Sequence, residues 1–272
     1  MRDGKLDVLV ITEGHPYQAT PFFAVFDADP GLDWMQAKQP GAQTFFNARL
    51  AEMWDAYVMY DMPGIQFRPG QGPLLHEPPK DVQRGFEDLT EAGHGFVFLH
   101  HAIAGWPLWP AYGEAIGGRF HYEPGFFAGQ NYPDSGYRFD TWHELSVADP
   151  THPVTAGLEA GFSITDEVYL CPIDERHVMP LMRSDYKFVD TNFSSAALAV
   201  RGRRGRRDGW AHPQGSNLIA WINRYRNSDI VVIACGDGPS AYANPGFRRL
   251  LGNAIRWVAR DRPGGPAIPY PG

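Results

Sequence analysis

The stretch that most constrains this chain is Gly93-His94-Gly95-Phe96-Val97-Phe98-Leu99-His100-His101-Ala102-Ile103-Ala104-Gly105-Trp106. A Gly-His-Gly turn signal precedes four apolar residues with no polar alternation. Such a run suits a strand buried on both faces, the usual state of a central parallel strand. It stops abruptly at two histidines and a loop bearing Gly and Trp. In open α/β sheets ligands bind in the crevice beyond the carboxyl ends of the strands. His100 and His101 therefore stand where chemistry is expected, and shifted titratable groups gather in such crevices.

Two other apolar runs end the same way. Residues 6–11 run into Thr12-Glu13-Gly14-His15-Pro16, and residues 55–60 into Asp61-Met62-Pro63-Gly64. Val82, Phe86 and Leu89 mark an amphipathic helix after Pro78-Pro79, with Gly93 as its stop. Residues 20–45 read as a loop with short helical pieces, 45–54 as a helix presenting Phe46, Leu50 and Met53, and 63–79 as a loop. Residues 107–118 predict a short helix closed by Gly117-Gly118, and 119–140 an irregular lid or pocket wall. Residues 142–147, 162–171 and 177–182 predict short antiparallel strands. Residues 201–216 form a polar loop, and 218–225 with 230–235 a hairpin. That hairpin exits through Gly236-Asp237-Gly238-Pro239. Asn244 caps the last helix, with Pro245 at its first position and Phe247, Leu250, Leu251, Ala254, Ile255 and Val258 on its apolar face. His152-Pro153 is a turn in which His152 is a structural hydrogen-bonder.

Strands alternating with helices predict an α/β doubly wound sheet, with a mainly parallel core and antiparallel edge additions. That topology brings Glu13, His15, Asp61, His100, His101 and Asp237 to one crevice. The length suits one domain over residues 1–260, followed by a Pro/Gly-rich tail at 261–272. Net charge is -7, and the one basic run, Arg201 to Arg207, sits among Gly and Asp, so nucleic acid is not an expected partner. No apolar run has membrane-spanning length, so the expectation is a cytoplasmic protein with no membrane partner.

Imidazole and carboxylate together suit Zn, Mn, Ni or Fe(II). His15, Asp61, His100, His101, His121, Asp166 and Glu167 could supply such a site, with His15, His100 and His101 as the metal set. The alternative is a polar cluster holding an organic ligand without metal. Strand alternation puts Asp166 and Glu167 on opposite faces, so one of the two is expected to meet water. The other, beside imidazoles, can serve as a general base. The two cysteines, Cys171 and Cys235, form neither a disulfide framework nor a CxxC motif, and Cys235 reads as a buried small hydrophobe.

Taken in order, His15-Pro16-Tyr17, Tyr60-Asp61-Met62-Pro63-Gly64, Leu99-His100-His101-Ala102-Ile103-Ala104-Gly105-Trp106-Pro107, Gly117-Gly118-Arg119-Phe120, His152-Pro153-Val154-Thr155-Ala156-Gly157-Leu158, Asp166-Glu167-Val168-Tyr169 and Asn253-Ala254-Ile255-Arg256-Trp257 resemble the ThuA-like (trehalose-utilisation) family. The resemblance spans nearly the whole chain. It implies a flavodoxin-like fold of the class I glutamine amidotransferase-like type, and a link to trehalose or related disaccharides and their keto forms. The amidotransferase nucleophile does not carry over, because His100-His101 occupy the strand end where that fold would hold Cys. Many family members have Gly-His after the last strand; this chain has Gly236-Asp237.

The leading reading is an enzyme acting on a disaccharide or keto-sugar. His100, His101, Glu167 and Asp61 form its catalytic set. His15, Trp106, Tyr137, Asp166 and Asp237 bind substrate, and a divalent metal such as Zn or Mn is the one cofactor considered. The expected partner is a small-molecule carbohydrate, with a homo-oligomer as the protein association considered. The rivals are a non-catalytic sugar-binding or regulatory domain and an amidase-type hydrolase using Cys235.

Overall fold

The computed structural model describes residues 4–259 of the 272-residue chain; the tail at 261–272 lies outside the described residues. Ten strands form the main sheet: β1 (Leu6–Glu13), β2 (Leu32–Lys38), β3 (Ala56–Asp61), β4 (Phe96–Leu99), β5 (Gly136–Val147), β6 (Phe162–Leu170), β7 (Met179–Ser184), β8 (Ser194–Ser195), β9 (Leu218–Tyr225) and β10 (Ser228–Ile233). The path across the sheet is β6-β5-β7-β9-β10-β4-β3-β1-β2, with β8 paired to β5. β2, β1, β3, β4 and β10 pair in parallel, and β10 then turns back through β9 into an antiparallel extension of β7, β5 and β6. The expected parallel core with antiparallel additions is the architecture found, with the additions beyond β10 all on one side.

The side-chain alternation of the central strand explains the layering. Val97 and Leu99 join the core on one face, with the Ala19–Asp27 and Pro245–Ala259 helices. Phe96 and Phe98 join the core on the other, with the Lys80–Ala92 and Pro110–Ile116 helices. Both faces are covered, as a parallel sheet requires. The last helix behaves as its pattern predicts: Asn244 Oδ1 accepts from the backbone N–H groups of Gly246 and Phe247 at 2.9 and 3.2 Å. His152 is likewise a local hydrogen-bonder, its Nδ1 accepting from Val154 N at 3.1 Å. Among the described residues no helix is long and apolar enough to cross a membrane.

Several segments differ from their sequence reading: 63–79 and 119–140 each hold a short strand pair and β5 begins at Gly136, and two further segments differ more. Residues 20–45 hold a regular helix, Ala19–Asp27, and the edge strand β2. β2 pairs on one side only and leaves Asp33, Met35 and Lys38 exposed, so its residues lack the apolar run that marks a buried strand. The helix expected over 45–54 shrinks to a 3₁₀ turn, Gly41–Phe45, and one short helix, Ala48–Ala51. Asn47 restarts the chain by accepting from Arg49 N at 3.0 Å, and Met53 ends half-exposed.

Gly95 is the tight point between sheet and last helix. A Cβ there would lie 2.2 Å from the carbonyl oxygen of Val258. Gly95→Ala should therefore destabilise the protein by about 1–3 kcal/mol, the usual cost of overpacking. Urea unfolding would show a lower midpoint at an unchanged slope; an unaltered midpoint would contradict this packing.

Candidate functional site

Because β1, β3, β4 and β10 run in parallel, their carboxyl ends reach the same edge of the sheet. His15 follows β1, His100 and His101 follow β4, and Asp237 follows β10. His100 is fully buried in a left-handed conformation, φ 44°, as the chain leaves β4 for a 3₁₀ turn. Its Nδ1 lies 2.9 Å from the carbonyl of Ala234. A carbonyl can only accept, so Nδ1 carries a hydrogen and Nε2 is the working atom. Nε2 lies 3.1 Å from Glu167 Oε2, 3.4 Å from Asp237 Oδ1 and 2.7 Å from the Tyr169 hydroxyl.

These neighbours decide the charge state. Burial alone would discharge the His100 ring, but Asp237 and Glu167 outweigh it and hold its pKa well above the ordinary histidine value. For Asp237, burial is in turn outweighed by the His100 hydrogen bond, and its carboxyl is held low. Glu167 was expected to work with His101; its hydrogen bond goes to His100 instead. The His101 ring points the other way: Nε2 donates to the carbonyl of Tyr60 at 3.2 Å. Its Nδ1 is buried with no hydrogen-bond partner among the described residues. Burial first, then His15 and His100, drive the His101 pKa well down, so this ring is neutral. Its centroid lies 4.7 Å from that of His15, whose pKa is also lowered by burial and by His100. The two rings therefore share one crevice, as the strand-end argument requires.

Asp166 and Glu167 are both buried, at 4% and 5% exposure, which corrects the expectation that one faces water. The reason is that both faces of β6 are covered there: Val168 and Leu170, on the Asp166 side of the alternation, join one core, and Tyr169, on the Glu167 side, packs against the other. Asp166 pairs with Thr141 and Val168 with Arg138, so two residues of β5, Phe139 and Asp140, oppose Glu167 alone. Asp166 accepts from the backbone N–H groups of Gly236 and Asp237, while Glu167 reaches His100. Burial lifts the Asp166 carboxyl to about 6 despite His100 and those two hydrogen bonds.

Above this cluster opens a cavity of 840 Å³. His15, Asp166, Glu167, Tyr169 and Asp237 line its floor, and Tyr17, Phe120, Tyr122, Tyr137 and Phe139 give it aromatic walls. The expected lid region thus supplies real wall. Tyr137 is there as expected, and its hydroxyl accepts from Gly205 N at 2.8 Å. Trp106 does not line the cavity; it is buried against the backbone of Gly64. Asp61 is fully buried too and does not line this cavity; its Oδ2 accepts from Gln39 Nε2 at 2.8 Å, and Oδ1 has no partner among the described residues. His121 stands by Tyr132, outside the His100 cluster. Tyr169 was missed as a site residue, although its alternation with Glu167 placed it on the same face. Arg204 was missed as well: its neighbours Arg201, Arg203 and Arg206 pair with Glu123 and Asp208, whereas Arg204 lies over the Phe139 ring at 4.7 Å and lines the cavity.

A family model described as "ThuA: Trehalose utilisation" matches residues 33–258. The chain belongs to the ThuA family. No curated protein matches it. Among solved structures, a ThuA-like protein from Bacteroides uniformis is 18% identical, with a TM-score of 0.66 over 98% of this chain and 97% of that one. Another from Parabacteroides merdae is 15% identical, with a TM-score of 0.65 over 94% and 90%. PurLQS from Thermotoga maritima, 8% identical, gives a TM-score of 0.50 over 93% and 99%. At these identities the likeness speaks for the fold, which is the flavodoxin-like, class I glutamine amidotransferase-like fold that the family resemblance implied.

In this ThuA-family chain neither thiol is placed as a nucleophile. Cys235 is 1% exposed and does not line this cavity, and burial pushes its pKa well up. Cys171 is buried as well, its pKa pushed up to about 12. Iodoacetamide should therefore leave both cysteines unmodified in the native protein at neutral pH and label both in urea. Rapid native labelling of Cys235 would revive the amidase reading.

Asp61 gives a second expectation. Burial lifts its pKa from an ordinary 3.8 to about 7 in the folded protein. Between those values the folded state holds a proton that the unfolded chain has released, so stability falls as pH rises through that window. Asp61→Asn removes this contribution. Relative to wild type, the variant should gain on the order of a few kcal/mol between pH about 4 and about 7. Urea unfolding across that range measures the difference; parallel pH profiles would contradict it.

Proposed function

We propose that this protein is an enzyme of carbohydrate metabolism that acts on a disaccharide or its keto form, such as a trehalose derivative, in the cavity above His100. The observation that carries the reading is the convergence of His100, Glu167, Asp237 and Tyr169 at one atom, Nε2, on the floor of an aromatic-walled cavity. Membership in a trehalose-utilisation family supports the substrate class. Flat aromatic faces suit the apolar faces of sugar rings, and the carboxylates offer acceptors for hydroxyl groups. The absence of a membrane-crossing helix among the described residues fits a cytoplasmic site of action.

The chemistry follows from the charge states. Protonated His100 presents a positive N–H at Nε2, suited to polarise or protonate a sugar carbonyl or a leaving oxygen. Asp237, 29% exposed and ionised, is the group open to the cavity that can accept a proton from a sugar hydroxyl or an adjacent carbon. Glu167 holds the His100 ring from the buried side. His15 lines the cavity and the neutral His101 ring lies beside it, the Nδ1 of each without a partner among the described residues.

Glu167→Gln keeps the shape of the side chain and removes its charge. Turnover of a keto-disaccharide should fall by about a hundredfold or more, with the circular dichroism spectrum and urea midpoint retained. Wild-type protein that neither binds nor converts a disaccharide or keto-disaccharide would overturn the reading. Wild-type binding without conversion would favour the non-catalytic sugar-binding domain.

A further inference from the structure

The floor of the cavity is short of positive charge. Two acidic side chains, Glu167 and Asp237, meet the single imidazole of His100, and Asp166 sits beside them. Arg204, the one lysine or arginine side chain lining the cavity, lies over the Phe139 ring instead of pairing with these groups. Buried charge without compensation is costly. A neutral imidazole with a divalent cation between the same two carboxylates balances to zero.

We propose that His100 Nε2, Glu167 Oε2 and Asp237 Oδ1 form a binding site for one divalent transition-metal cation of the Zn²⁺ or Mn²⁺ class, open toward the cavity. Four observations support it. One ligand atom from each of His100, Glu167 and Asp237 lies within 4.8 Å of the other two. Nε2 is 3.1 and 3.4 Å from the two oxygens; ligand atoms at bond lengths near 2.0–2.2 Å around a tetrahedral cation stand about 3.3 Å apart. The Ala234 carbonyl fixes the hydrogen on Nδ1 and so aims the lone pair of a neutral ring at the site, the usual outer support of a metal-bound histidine. Finally, three protein ligands with an open side is the pattern of a catalytic rather than a structural centre. The Tyr169 hydroxyl, 2.7 Å from Nε2, is the group the cation would displace from that nitrogen.

The inference rests on the reaction centre proposed above and names what occupies it. The cation takes over the electrophilic role of the His100 proton, polarising the sugar carbonyl as a Lewis acid. His15 and His101, expected as ligands from the sequence, lie outside the ligand set and face each other.

Chelator-stripped full-length protein is titrated with Zn²⁺ and, separately, Mn²⁺ in a calorimeter with no sugar present. One equivalent of at least one metal should bind. X-ray absorption of the loaded wild-type protein should show a single imidazole with oxygen neighbours and no sulfur. Glu167→Gln should weaken binding by about tenfold or more, while the surface control His177→Ala should not. The proposal is overturned if the wild type binds neither metal, if its loaded spectrum lacks imidazole, or if Glu167→Gln binds as tightly as wild type. Sugar turnover by protein shown to be metal-free would overturn the cation and leave the sugar reading standing.

Discussion

The Asp166 carboxylate accepts hydrogen bonds from two consecutive backbone N–H groups, those of Gly236 and Asp237, and the rest of the site hangs on that contact. It ties β6, at the outer edge of the antiparallel extension, to the loop leaving β10 in the parallel core. The carbonyl side of the same loop is held from the opposite direction. Tyr60 donates to Gly236 O at 2.8 Å and Tyr242 to Asp237 O at 2.9 Å, the two hydroxyls themselves 2.6 Å apart. Gly236 crosses this clamp at φ 120°, a conformation that a side chain would strain. Satisfying a buried carboxylate with two donors offsets much of its desolvation cost. With its backbone held on both sides, Asp237 has little freedom except to face His100.

The site therefore lies on a seam. The parallel core contributes the imidazoles and Asp237, through strand ends that converge because the strands run the same way. The antiparallel extension contributes Asp166, Glu167, Tyr169 and much of the aromatic wall. Both faces of β6 are covered, so two neighbouring carboxylates are both buried, one at the Gly236 loop and one at His100. Neither half of the sheet holds the constellation alone.

Much of the core was legible in the sequence because buried parallel strands announce themselves as unbroken apolar runs. Phe96–Leu99 and the strands ending at Glu13 and Asp61 are of that kind, and the last helix carried both its period and its cap. The edge strand β2 was not legible, since a strand paired on one side needs no such run. Within the site, His15, His100, His101, Glu167, Tyr137 and Asp237 were found from strand ends, family motifs and the carboxylate pair. The partner of Glu167 was misread because sequence spacing does not reveal which of two adjacent rings turns which way; the left-handed turn at His100 decides that. Asp61 and Trp106 were drawn into the site by position, yet their side chains pack into the interior. The covering of both faces of β6 has no one-dimensional signature, so the shared burial of Asp166 and Glu167 was beyond pattern reading.

The sheet order also bears on how the chain reaches this state. β4 is flanked by β3 and β10, and the β10 pairing joins Ile230 to Phe96, residues 134 positions apart (230 − 96). During synthesis the all-apolar strand β4 must wait, one edge unpaired, until β10, late in the described chain, has emerged. Pairings of such long range are slow, because the entropy of closing the loop is lost before any contact is gained. An open apolar edge is meanwhile a template for another chain. This topology thus concentrates the risk of aggregation in the interval before β10 arrives.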